Sequence, residues 1–264
     1  MTHGVRQIVR FNWPFYALAG AALLIAPAAI ARLPLPGAAR VLLYAATGLS
    51  ALWVVTSLVA SWIVYDRSPL MRWDWLPRAL GFQPGAWINI HSGLDESTPA
   101  LRALFGATGQ VFDMFDPGEM TEPSISRARR TELRRARLAE ARDASEGGPQ
   151  TDELKPQPVN FRHLPLATGT IEAALLLLSA HELRTDQARL ALFTELRRVL
   201  GPGGRVVVAE HLRDAANFLA FGPGFLHFHS RRTWTRCFSR TRFDIHAEFP
   251  ITPFVRVFIL RRLT

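Results

Sequence analysis

The chain has almost no lysine and almost no cysteine: among 264 residues, Lys155 is the only lysine and Cys237 the only cysteine. A lone thiol excludes an internal disulfide framework and a cysteine-ligated zinc site, so nothing in the sequence asks for an oxidising compartment. The formal charge of +9 rests almost wholly on arginine. Spread along the whole chain, that bias is no nucleic-acid signal, and nucleic acid is not expected as a partner; a basic surface suits an anionic membrane face better. Gly-x-Ser-x-Gly, a P-loop and a reactive-cysteine context are all missing, which removes the motifs of the common nucleophilic and nucleotide-hydrolysing enzymes. No internal repeat is visible.

Charge is also missing from two long runs. Val41–Tyr65 carries no charged side chain. As a helix its twenty-five residues span about 37 Å, against about 30 Å of bilayer hydrocarbon, so it can cross with some tilt. Phe11–Ala31 is a second uncharged run, about 31 Å long as a helix, with Pro14 near its start and Pro27 near its end. Trp13, Phe15, Tyr16, Trp53, Trp62 and Tyr65 lie partly where interfacial aromatics belong. The connector Arg32–Arg40 holds two prolines and a glycine, as a tight helical hairpin needs. A cleaved signal peptide is the rival reading, since Arg6 and Arg10 precede an apolar run ending in Ala29-Ile30-Ala31; the second span argues against it. Arg6 and Arg10 before the first run, with Arg67, Arg72 and Arg78 after the second, outnumber Arg32 and Arg40 between them. That asymmetry puts both ends in the cytoplasm. The sequence thus predicts a transmembrane helical hairpin over residues 1–66, with the lipid bilayer (a bacterial inner membrane) as its partner.

Residues 67–84 form a junction containing Trp73, Trp75 and Pro77, expected to lie along the membrane interface. From residue 85 to 264, strand and helix signals alternate. Strands are expected at Ala86–His91, Gln110–Phe115, Val159–Leu166, Ala173–Ser179 and Arg205–Ala209. Thr98, as N-cap before Pro99, opens a helix that ends near Gly106, and Asp186–Leu200 is a long helix before the fifth strand. Phe243–Phe249 and Phe254–Leu260 read as a terminal antiparallel pair. The pattern is that of an α/β, Rossmann-like domain with a doubly wound, mostly parallel sheet. A charged insertion interrupts it at about 117–158. Within it, Thr121–Asp143 holds seven arginines and four acids in a helix-prone stretch, read as a solvated face or a contact with anionic headgroups. Ala144–Pro158 reads as a flexible loop.

Residues 195–211, Glu-Leu-Arg-Arg-Val-Leu-Gly-Pro-Gly-Gly-Arg-Val-Val-Val-Ala-Glu-His, are an amphipathic helix stopped by Gly201-Pro202-Gly203-Gly204 before a β-branched strand. This run closely resembles the block preceding the fifth strand in class I S-adenosylmethionine (SAM) dependent methyltransferases of the type 11-like kind. The resemblance implies SAM as cofactor, bound at the carboxyl ends of the strands near the switch point. In such proteins the first strand carries an acid and then Gly-x-Gly-x-Gly. Here Asn89 stands for the acid, His91 for the first glycine and Asp95 for the third, and only Gly93 survives. The resemblance offers His91 and Asp95 as the rebuilt methionine pocket, with Asp95 on the ammonium group. It makes Asp113, or Asp116, the acid that receives the ribose hydroxyls. Asn160 stands where adenine is contacted, with Phe161 against the ring.

His181, in Leu178-Ser179-Ala180-His181-Glu182-Leu183, matches a rim turn and either lines the site, removes a proton or serves as a structural rim histidine. Glu210-His211 ends the fifth strand, where His211 can face the methyl acceptor. No second histidine follows His181-Glu182 one turn on, which excludes a metalloprotease motif. His227-Phe228-His229 alternates as a strand would, putting both imidazoles on one face, but no third ligand lies nearby and no metal is expected. The function these readings imply is a membrane-anchored SAM-dependent methyltransferase for a lipophilic small molecule or lipid. The alternative is a catalytically inactive methyltransferase-like membrane scaffold or binding module.

Overall fold

The computed structural model of the chain describes residues 3–93, 95–146 and 156–263. Helix α1 (His3–Phe11) leads into α2 (Trp13–Arg32), and residues 33–36 return the chain as α3 (Gly37–Trp62). A π-type turn at Ile63–Arg67, a 3₁₀ turn at Leu70–Arg72 and the short α4 (Leu76–Leu80) follow. The α/β unit then comprises β1 (Trp87–His91), α5 (Thr98–Phe105), β2 (Gln110–Asp113), α6 (Pro123–Glu146), β3 (Gln157–Pro158) and β4 (Ile171–Leu177). It continues with α7 (Asp186–Val199), β5 (Leu200–His211), α8 (Ala215–Phe221), α9 (Arg231–Arg240), β6 (Phe243–Thr252) and β7 (Val255–Arg262).

The seven strands lie in the order β3-β2-β1-β4-β5-β7-β6, parallel except for β7, which runs antiparallel to both neighbours. The order reverses between β1 and β4, which is where an open α/β sheet offers its crevice. Strand period divides the core in two. Ile88, Ile90, Val206 and Val208 face α7 and α9, while Trp87, Ala173, Val207 and Ile259 face the other way.

That second face is covered by α5 and by Leu70, Trp73, Leu76 and Leu80. Trp73 is 2% exposed and Leu70 and Leu76 are sealed. Residues expected along the membrane interface therefore belong to the sheet's own cover. Their apolar surface is needed there, because α5 alone is too short to hide that side of the sheet.

Helix α7 forms where the sequence places it. Thr185 caps it by accepting the Ala188 N–H at 3.1 Å, Asp186 occupies its first turn, and Arg197 and Arg198 lie in its last. The expected stop at Gly201–Gly204 is instead a bulge inside β5, which starts at Leu200. Leu200 pairs with Ile171 and Arg205 with Ala173, so three extra residues loop out, with Gly203 at φ +76° where a side chain would be strained.

The third strand is Gln157–Pro158 and not Val159–Leu166. The reason lies in where the backbone bonds go. Leu164 N–H donates to Glu195 at 2.9 Å, and the Leu164 and Leu166 carbonyls accept from Arg198 at 3.0 and 2.7 Å. Side chains of α7 thus take the bonds a ladder would have used. Helix α6 fills the helix-prone part of the charged insertion; residues 147–155, most of the expected loop, lie outside the described residues.

Candidate functional site

Helices α2 and the continuous run Gly37–Arg72 are long and apolar enough to cross a membrane by length and composition, and only 6% of the most apolar stretch of each is buried. A core helix of a soluble protein would be mostly buried, and these are not. At their domain end, Asp66 accepts the Gly4 and Val5 N–H groups at 2.9 and 3.1 Å, fixing the start of α1 against the end of the long helical run. Thr56 of α3 donates to the Ala220 carbonyl of α8 at 3.1 Å, which ties the hairpin to the α/β unit.

Between the hairpin and the carboxyl edge of the sheet lies a cavity of about 1230 Å³. Ala19, Leu23, Ala46 and Val54 form its apolar walls, and His91, Gly93, Asp95, His181, His211 and His227 meet it at the sheet end. Two further residues there, Glu182 and Glu122, are carboxylates.

Leu178, at φ +59°, turns the chain sharply off β4, and Ser179 Oγ then donates to the Ile90 carbonyl at 2.8 Å. The next turn is held from below by Glu210, a fully buried carboxylate. Its Oε1 accepts the Ala180 and His181 N–H groups at 2.8 and 3.2 Å, and its Oε2 lies 2.7 Å from His181 Nδ1. Burial alone lowers the His181 pKa, but the Glu210 charge and hydrogen bond, with Glu182 beside them, outweigh it and lift the value to about 9. Glu182 moves down: burial pushes it up, and the imidazoles of His227 and His181 more than reverse that.

His211 is the opposite case. Burial first, then the nearby His181, lowers it to about 4. Its ring stacks on Phe228 at 4.7 Å, Nδ1 lies 2.9 Å from the Phe254 carbonyl and Nε2 3.3 Å from the Tyr65 hydroxyl. At neutral pH His181 is thus a cation and His211 a weak base. Both line the cavity; the protonated His181 has no free nitrogen to take up a further proton, while the neutral His211 can accept one but only as a weak base. His229 does not share a face with His227: it lies 3.1 Å from the Leu183 carbonyl and 3.0 Å from Arg189 Nη1 in the core, while His227 turns toward Glu182.

No protein-family profile matches the chain, and no curated protein is similar to it in sequence. Solved structures are similar in shape. A SAM-dependent methyltransferase from Aquifex aeolicus superposes with a TM-score of 0.50 at 14% identity, over 80% of this chain and 97% of that one. The pyocyanin biosynthetic protein PhzM gives 0.52 at 18% identity, over 99% and 74%. The chain has the class I methyltransferase fold.

Within this methyltransferase fold the residues expected to hold SAM divide. On the methionine side the cavity is open beside His91, Gly93 and Asp95. Asn89 is buried and donates to Ser97 and Thr98 at 2.9 Å, while Asp95 Oδ1 accepts the Ser97 and Thr98 N–H groups at 3.0 Å. Asn89 and that oxygen of Asp95 therefore build the entry to α5, where Ser97 takes the N-cap place expected for Thr98. His91 Nδ1 accepts the Gly93 N–H at 3.0 Å.

Beside Asp113 stands Arg129 of α6. Its guanidinium pairs with Asp113, lies 4.8 Å over the Phe115 ring, and its Cδ stands 2.6 Å from where a Cβ on Gly93 would be. Asp113 is at the β2 end as expected, whereas Asp116 is turn chemistry, accepting the Gly118 N–H at 2.8 Å. Phe161 is a core residue, 1% exposed, and Asn160 is exposed and accepts the Arg162 N–H at 2.9 Å. Neither borders the cavity. Of the residues expected to hold SAM, His91, Gly93 and Asp95 therefore border the cavity, while the Asp113 carboxylate is taken by Arg129. Sequence reasoning passed over Arg129, which no local pattern marks. It met Glu182 only as the neighbour of His181, and it weighed His227 together with His229 and set the pair aside for want of a third ligand.

Proposed function

We propose that this chain is a membrane-anchored methyltransferase that uses SAM to methylate a lipophilic small molecule or lipid. One observation carries the reading: a single cavity is walled by the apolar hairpin at one end and by the switch-point edge of the sheet at the other. An acceptor dissolved in the bilayer reaches the edge without crossing water, and tethering raises its effective concentration there. The hairpin geometry returns both ends of the chain to one side, and the arginine asymmetry makes that side the cytoplasm.

SAM, when bound, supplies a methyl group on a strong sulfonium leaving group, so the protein's part is positioning and drying. Gly93 and His91 border the methionine end. Asp113 receives the ribose hydroxyls once Arg129 withdraws. Phe221, Phe228 and the hairpin side chains exclude water from the acceptor, while the His181 cation orients an electronegative acceptor atom.

Calorimetry on the full chain in lipid nanodiscs, titrated with S-adenosylhomocysteine, tests this. Asp113→Ala should weaken binding by roughly tenfold or more, and Arg129→Ala should tighten it on the order of tenfold, about 1.4 kcal/mol. A folded chain that binds nothing in either form would leave the second reading, a catalytically silent membrane module. That reading is favoured by one specific contact, the Arg129–Asp113 ion pair standing where the nucleoside belongs.

A further inference from the structure

His181 and His227 are 46 residues apart by number, yet their rings meet edge to face with centroids 5.2 Å apart. Glu182 stands between them. Its Oε1 is 3.6 Å from His181 Nε2 and 3.8 Å from His227 Nε2, and one ligand atom from each of the three residues falls within 4.8 Å of the others. Ligands on a tetrahedral ion with bonds of about 2.0–2.1 Å sit roughly 3.3–3.4 Å apart, so the two Glu182 contacts need to close by tenths of an ångström and the two imidazoles, within 4.8 Å of each other, by at most about 1.5 Å.

Two independent features accompany the trio. His181 presents Nε2 because its Nδ1 is held by Glu210 at 2.7 Å, and His227 has Glu122 Oε1 3.8 Å from its own Nδ1. A carboxylate behind a histidine is how metal-ligating imidazoles are oriented and made more basic. The second feature is Glu182 Oε2, which is buried and has no hydrogen-bond partner among the described residues. An unpaired carboxylate oxygen is costly to bury, as is the fully buried Glu210 charge nearby, and a dication offsets both. Arg184 helps hold the Glu182 carboxyl down by its charge, but its guanidinium donates to the His227 and His181 carbonyls and not to that oxygen.

We infer that His181, Glu182 and His227 form a binding site for a divalent transition-metal ion of the zinc type, with its open coordination positions facing the cavity. Two imidazoles and one carboxylate suit zinc or ferrous iron and disfavour magnesium or calcium, which prefer all-oxygen shells. Binding displaces the proton from His181 Nε2 and leaves Nδ1–H on Glu210, so with the ion bound its charge replaces the His181 cation beside the acceptor. The site stands whether or not the chain transfers methyl groups, because none of its ligands touches Gly93, Asp113 or Arg129.

The test uses the full chain without a polyhistidine tag, in nanodiscs, stripped with chelator and titrated with zinc and separately with cobalt(II). About one equivalent per chain is expected, with a cobalt spectrum showing nitrogen ligation. His181→Ala and His227→Ala should abolish it. Glu210→Gln should weaken it by about 10–100-fold, and the exposed His163→Ala should leave it unchanged. Circular dichroism confirms folding for each variant, and Glu182→Gln, which preserves shape, replaces any variant that fails to fold. No bound equivalent in the parent chain, or binding that survives loss of both histidines, overturns the site.

Discussion

Glu195 is the residue on which the loop after β3 depends. It is nearly buried, its Oε2 receives the Leu164 N–H, and Arg198 forks onto both of its oxygens at 2.7–3.2 Å while also holding two carbonyls of the same loop. Arg198 chiefly, against the opposing effect of burial, keeps the Glu195 carboxyl below its usual value. A depressed carboxylate stabilises the fold fully above its unfolded value of 4.5, and that stability is lost as pH falls through the lower folded value. The melting temperature of the parent chain should therefore hold steady above about pH 5 and drop below it. Glu195→Gln should lower stability at pH 7 by about 1–3 kcal/mol, the worth of hydrogen bonds to a charged group, and flatten the acid limb. Thermal melts of both chains across pH check this, and superimposable acid limbs would refute it. At this scale His181 and His211 line the cavity and Asp113 ends β2, the positions at which the sequence expects them. It could not reveal that Arg129 occupies the place beside Asp113, because one arginine among seven on a charged helix looks like any solvated side chain.

Elements were legible where local physics alone decides them. Thr185, the α7 periodicity and three consecutive valines specify helix and strand without help from the rest of the chain. Val159–Leu166 misled because Val159 and Phe161, and again Leu164 and Leu166, alternate as in a strand, while the partners that settle the matter, Glu195 and Arg198, come thirty or more residues later. Trp73 misled for a similar reason: interfacial and core tryptophans look alike until the bare face of a sheet is known to need covering. One element contact sets how the hairpin meets the α/β unit. Gly222 follows α8 at φ +55° and ψ −139°, and a Cβ there would stand 2.8 Å from Trp53 of α3. Gly222→Ala should cost roughly 1–3 kcal/mol in backbone strain and push α8 off α3. Hydrogen exchange at the α8 amides should then quicken while β4 and β5 stay protected; unchanged exchange in α8 would show that the two elements are not coupled through this glycine.

At the scale of the whole molecule the exposed apolar surface is the quantity to explain. Leu24 is 82% exposed at the middle of α2 and Leu52 56% exposed at the middle of α3, among many similar neighbours. A water-soluble monomer rarely leaves contiguous apolar patches beyond a few hundred Å² uncovered, so something covers this one. A bilayer does so without any further protein, and the length of both helices matches it. On that account Leu24→Arg and Leu52→Arg each place a charge in hydrocarbon, at about 2.5–3.5 kcal/mol apiece on insertion scales. The parent chain should stay in the membrane pellet after alkaline carbonate washing, each single variant should shift partly to the supernatant, and the pair should shift further. If carbonate releases the parent chain as readily as the double variant, the hairpin is buried against protein and not lipid. The cavity then receives its occupant from a partner surface, and the case for an acceptor drawn from the bilayer falls with the anchor.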